Sequence, residues 1–172
     1  ISNRGIFSSA DEPPEIRLIE SIEKAVRGGV NMVQVREPGL PARELLSLGN
    51  ELRKITDGRA LLFINDRVDI AMAIEADGVQ LGEHSMPIPD ARGISNGKLL
   101  IGKSVHDLYG AIDADQNGAD FLVLGTIFQS KSHPDIAPSG TGLIYEATTN
   151  VSIPVIGIGG INPSNADEVI AA

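Results

Sequence analysis

FINDRVDIAMAIEADGVQLGEHSMP, residues 63–87, is the stretch whose reading decides the fold. The apolar run from Ala60 to Ile64 reads as a buried strand that stops abruptly at polar Asn65, Asp66 and Arg67. Val68, Ile70, Ala71, Ala73 and Ile74 then recur at helical spacing, which predicts a short helix. Ala76-Asp77-Gly78 turns the chain, and Val79 to Leu81 forms a second short strand that runs into Gly82, Glu83 and His84. This is one complete β-α-β unit with ionisable groups after both strands. Loops leaving the C-terminal ends of parallel strands are where α/β folds keep their chemistry.

The same arrangement recurs outward in both directions. Ile1 to Arg4 reads as the tail of a strand, followed by a helix from Pro14 to Arg27 that Gly28-Gly29 stops. Strands are expected at Val30–Val35, Leu99–Gly102, Phe121–Leu124 and Pro154–Ile158. Helices are expected at Pro41–Ile55, Pro89–Ile94 and Asp107–Gln116, with a short one before Pro154 and a last one after Pro163. About seven strands, apolar on both faces, alternate with helices, as a covered parallel sheet requires. An open doubly wound sheet would gather its polar loops at one switch point. Here almost every strand ends in a polar cluster, so the expected fold is an α/β TIM (β/α)₈ barrel. The count is short of eight strands, so residues 1–172 are expected to be one barrel domain truncated within strand 1 and before strand 8.

Composition narrows the function. The 172 residues are 42% hydrophobic and carry a formal charge of −9, which argues against non-specific nucleic-acid binding. No apolar run approaches a membrane span. The absence of cysteine removes thiolate and disulfide chemistry, and a cytoplasmic setting is the default. Arg36, Lys103 and Lys131 can still bind a small anion locally. The three histidines, His84, His106 and His133, all fall just past predicted strand ends, a placement suited to proton transfer near neutral pH.

Six stretches, in order, resemble the thiamin phosphate synthase/TenI superfamily: residues 29–37 (GVNMVQVRE), 64–71 (INDRVDIA), 76–82 (ADGVQLG), 101–106 (IGKSVH), 119–128 (ADFLVLGTIF) and 153–161 (IPVIGIGGI). The resemblance implies a TIM barrel that joins hydroxymethylpyrimidine diphosphate to a thiazole phosphate with release of pyrophosphate, assisted by Mg²⁺. It also leaves two alternatives. One is a metal-free thiazole tautomerase of the TenI branch; the other is a non-catalytic binding or regulatory protein of the thiamin pathway. The partners implied are small phosphorylated pyrimidine and thiazole molecules, with room for a homo-oligomer.

The resemblance also implies roles. Arg36, Asn65, Ser130 and Ser132 hold the diphosphate, Asp66 the Mg²⁺, and Ser104 the pyrimidine. Gly159-Gly160, on a turn that precedes the last helix, takes the thiazole phosphate. Gln34, Lys103, Thr126 and Lys131 complete the substrate-binding set, and His106 and His133 are candidate proton-transfer groups. Glu83 is the candidate second metal ligand, because Ser85 stands where synthases carry an acidic one. Pro38 likewise replaces a lysine. Each residue also has a plainer role available: an Arg36–Glu37 rim pair, a helix cap for Asp66, the start of the next helix for His106, an exposed charge for Asp69, and an ordinary tight turn for the glycines.

Overall fold

The computed structural model describes residues 1–7, 13–130 and 137–172. The chain forms two compact units, residues 1–80 with 91–100, and residues 81–90 with 101–172. Among the described residues no helix is long and apolar enough to cross a membrane.

In the first unit, α1 (Pro14–Arg27) begins on a proline, which has no N–H to leave unpaired in the first turn. It buries Leu18, Ile22 and Val26, one stripe at four-residue spacing. Strand β1 (Met32–Val35) leads to α2 (Ala42–Thr56), which buries Leu45, Leu48 and Leu52. Strand β2 (Leu61–Asn65), helix α3 (Val68–Ala73) and strand β3 (Gly78–Leu81) follow. The strands pair in parallel, with Val35 opposite Ile64 and Asn65 opposite Gln80. Their polar ends therefore line up at one edge. Helix α2 packs on α1, on α3 and on β2, while Leu62, Phe63 and Ile64 are almost completely buried. Asp77 fixes the start of β2: its carboxylate accepts the Leu62 N–H at 2.7 Å and the Arg53 guanidinium at 2.7 Å. At Gly78 a side chain is excluded, since a Cβ would lie 2.1 Å from the Phe63 ring and 2.5 Å from the Leu100 carbonyl oxygen.

Helix α4 (Ile88–Ile94) precedes β4 (Leu100–Val105). In the second unit, helix α5 (Leu108–Gln116) is followed by β5 (Phe121–Leu124), α6 (Gly140–Asn150), β6 (Val155–Gly157) and α7 (Ala166–Ala171). Strand β5 pairs in parallel with β4 and β6. Asp120 holds the start of β4 as Asp77 holds β2, accepting the Ile101 N–H at 2.7 Å. Helix α5 packs on α6 and on β5, and α6 on β6 and α7.

Three expectations are corrected. The described residues hold six strands rather than about seven. Ser2 makes one ladder-like bond to the Gln34 carbonyl, but Arg4–Phe7 then turns into a 3₁₀ helix, because the Ser2 hydroxyl and the Arg4 N–H both bond the Glu37 carboxylate. Strand β4 continues to Val105, so Lys103 and Ser104 lie in it and not after it. They stay because backbone pairing opposite Leu122 and Val123 is indifferent to side-chain polarity. Helix α7 starts at Ala166, after Pro163 as expected.

Candidate active site

In the first unit, the ends of β1 and β2 bring Gln34, Asn65 and Asp66 together. Gln34 Nε2 donates to Asn65 Oδ1 at 3.2 Å, and Asn65 Nδ2 donates to Asp66 Oδ2 at 2.7 Å. The pairing follows from strand register, which sets the neighbouring ends of β1 and β2 side by side. Asp66 has left the strand with φ +61°, in the left-handed region that aspartate tolerates better than most residues. Its N–H is held by the Gln80 carbonyl at 3.0 Å. The result is an exposed carboxylate on a fixed backbone, oriented by an amide that is itself oriented. It does not cap α3, whose first turn has no side-chain cap.

Arg36, one residue past β1, is exposed, and its guanidinium makes no bond among the described residues. The rim pair with Glu37 is not formed. The Glu37 carboxylate, 5% exposed, is taken by the Ser2 hydroxyl at 2.6 Å and by Arg4. Asp69 is exposed, as expected, but engaged: Arg67 grips it at 2.6 and 2.9 Å, and this hydrogen bonding lowers its pKa.

In the second unit, Lys103 is half-buried in β4 and donates to the Gly82 carbonyl at 2.6 Å. The turn it holds carries Glu83 and His84, both exposed. Ser85, standing at the expected acidic position, is folded back so that its hydroxyl accepts the Gly82 N–H at 2.6 Å. His106 directly follows β4, and its Nδ1 meets the Gly125 carbonyl. Helix α5 starts two residues on, at Leu108, with Asp107 as its cap through the Gly110 N–H at 2.7 Å. Ser104 lies half-buried beside Lys103 in the strand.

The loop after β5 runs along the turn after β6. Ile127 and Phe128 donate their N–H groups to the carbonyls of Ile158 and Gly159, each at 2.9 Å. Thr126 is buried and Ser130 half-buried in this loop. The glycine turn has φ +94° at Gly159 and +65° at Gly160. A Cβ at Gly159 would lie 2.6 Å from the Thr126 methyl, and one at Gly160 2.4 Å from the Gln129 carbonyl oxygen. Only glycine satisfies both the backbone angle and the space. Lys131, Ser132 and His133 lie outside the described residues.

Sequence reading missed two features. The Gly125 carbonyl as partner of His106 has no local signal. Asn162 and Asn165, whose side-chain amides both donate to the Gly160 carbonyl at 3.2 and 3.1 Å, were foreseeable from two asparagines three apart after Gly-Gly.

The family model for thiamine monophosphate synthase matches residues 6–172. The chain belongs to the thiamine monophosphate synthase family. Among its relatives, the thiamine-phosphate synthase of Pyrococcus furiosus is 42% identical over 153 residues, covering 88% of this chain and 73% of that protein. That of Moorella thermoacetica is 42% identical over 156 residues, with 90% and 74% covered. The solved structure of the thiamine phosphate pyrophosphorylase from Pyrococcus furiosus superposes with a TM-score of 0.83 at 42% identity, covering 89% of this chain and 74% of that one. The fold is accordingly that family's α/β barrel architecture, with six of its parallel strands described here.

Proposed function

We propose that this member of the thiamine monophosphate synthase family is a transferase coupling hydroxymethylpyrimidine diphosphate to a thiazole phosphate. The thiazole nitrogen forms a bond to the pyrimidine methylene, and the carbon–oxygen bond to the diphosphate breaks, releasing pyrophosphate. The observation that carries this reading is the Gln34–Asn65–Asp66 relay. A relay of two amides that ends on an exposed carboxylate suits a site where charge must be held in one place while a leaving group departs.

Arg36 presents an exposed guanidinium with no partner among the described residues, the group best suited to grip a diphosphate through two parallel bonds. Asn65, in the same unit, adds a polar contact to that anion; in the second unit, Ser104 offers a hydroxyl to the pyrimidine and Ser130 one to a phosphate oxygen. Thr126 shapes the loop beside the glycine turn. Successive N–H groups on a glycine turn form an anion-binding concavity, and Gly159-Gly160 takes the thiazole phosphate in this way.

The oxygen-only donors fit Mg²⁺. Among the described residues no group of three or more acidic or histidine side chains is placed to hold a metal, but Mg²⁺ is commonly held by one or two carboxylates together with substrate phosphates. Asp66 would supply such a carboxylate. When bound, the ion would offset charge on the departing diphosphate.

The test is a coupling assay with both precursors, with and without Mg²⁺. Thiamin phosphate formed only with Mg²⁺ is expected. A second reading, metal-free proton transfer on the thiazole, is favoured by the exposed His106 ring held through Nδ1 and by Ser85 in place of a carboxylate. It requires thiazole turnover that EDTA leaves intact, and that result, with no coupling, would displace the first.

A further inference from the structure

Three successive peptides after β6 share an asymmetry. The carbonyl of Ile158 is held by the Ile127 N–H, that of Gly159 by the Phe128 N–H, and that of Gly160 by the side-chain amides of Asn162 and Asn165. The N–H groups of the same peptides, on Gly159, Gly160 and Ile161, have no partner among the described residues. In a trans peptide the N–H points away from its own carbonyl. Anchoring each carbonyl therefore aims each N–H the opposite way and leaves a run of donors with no acceptor among them. For the first two peptides the β5 loop backbone does the anchoring, which any sequence can supply. For the third, side chains do it.

We infer that Asn162 and Asn165 are positioning residues that hold the Gly160–Ile161 peptide with its N–H presented to the thiazole phosphate. The inference rests on the proposed phosphate role of Gly159-Gly160. Each asparagine works at both ends. Asn165 Oδ1 accepts the Asn162 N–H at 2.7 Å, and Asn162 Oδ1 accepts the Ser164 N–H at 2.9 Å and the Ser164 hydroxyl. The acceptor ends hold the turn together while the donor ends grip Gly160. With φ +65°, Gly160 has few steric restraints of its own, so both amides are needed to fix this peptide, and with either one removed it swings about the remaining bond and its N–H is lost to the ligand.

The acceptor and donor roles can be separated. Asn165→Asp keeps the acceptor of the Asn162 N–H and removes only the donor to Gly160. Asn165→Ser removes the donor, and the amide acceptor with it, without adding charge. The experiment is steady-state kinetics on the full protein, varying thiazole phosphate, the unphosphorylated thiazole alcohol and the pyrimidine diphosphate. The wild type must first prefer the phosphorylated thiazole; indifference would remove the phosphate role of the glycine turn itself. Given that preference, both variants should raise KM for thiazole phosphate about tenfold, the factor for one lost charge-assisted bond. KM for the alcohol and for the pyrimidine diphosphate should stay unchanged. The inference is overturned if the wild type discriminates and Asn165→Ser does too, or if only Asn165→Asp loses discrimination, which would be a charge effect. Equal rises in every KM would overturn it as well, as a general structural role.

Discussion

Asn65 holds the carboxylate of the very next residue, Asp66, at 2.7 Å, and can do so because Asp66 has turned to φ +61°. Consecutive residues on an extended strand point to opposite faces. The left-handed step is what brings these two side chains together, at the point where β2 gives way to its loop. Conformation and chemistry are joined at one residue, and substitutions can separate them.

Asp66→Asn keeps a residue tolerant of positive φ but removes the charge, whereas Asp66→Ala removes both and adds about 1 kcal/mol of backbone strain. Asp66→Asn is expected to leave the thermal midpoint near wild type while coupling falls at least about tenfold with a weaker Mg²⁺ response, the scale of one displaced charge contact. Asp66→Ala should lose stability as well. Melting curves and Mg²⁺ titrations of the rate check both; an unaltered Mg²⁺ response in Asp66→Asn would end the metal-holding role.

Arg36→Lys preserves charge and abolishes the bidentate fork. Because the wild-type guanidinium is exposed and without a partner among the described residues, the fold should be indifferent to the change. Inhibition by the product pyrophosphate should weaken about three- to tenfold, as one of two parallel charge-assisted bonds is worth roughly 1 kcal/mol or somewhat more. Unchanged pyrophosphate inhibition would show that Arg36 does not grip the diphosphate.

Gly78→Ala addresses packing rather than chemistry. The new methyl would meet the Phe63 ring at 2.1 Å and a carbonyl oxygen at 2.5 Å, and neither is the end of a flexible side chain. A loss of about 3 kcal/mol or more is expected in denaturant unfolding, at the upper end for overpacked cores. A loss under about 1 kcal/mol would show that β2 and β3 can shift apart at little cost.

Asp69 gives a pH signature. The Arg67 hydrogen bond lowers its folded pKa, so its contribution to stability is complete above the unfolded value of about 3.9. That contribution is lost as pH falls through the lower folded value. Arg67→Met should move the Asp69 carboxyl resonance titration upward, toward that ordinary value, in an NMR pH series. A titration that does not move would assign the shift to something other than Arg67.

The helices and strands were legible because periodicity is local. Leu18, Ile22 and Val26 announce α1, and its bounds, Pro14 to Arg27, are those expected. The stop at Asn65-Asp66 was legible as the end of a buried run. Lys103 and Ser104 look like a strand end because they are polar, yet pairing with Leu122 and Val123 carries the strand through them. The Arg36–Glu37 pair failed for a related reason: adjacency in sequence says nothing of competitors, and Ser2 and Arg4 reach Glu37 from more than thirty residues away.

By itself, then, the sequence determined the alternation of parallel strands with helices and the polar residues at their ends, since hydrophobic spacing and turn chemistry act over a few residues. Only the tertiary structure decided which polar ends meet. Gln34 finds Asn65 across 31 positions, and Gly159 lies against Thr126, because strand register, a property of paired backbones, brings distant residues within hydrogen-bond or packing distance.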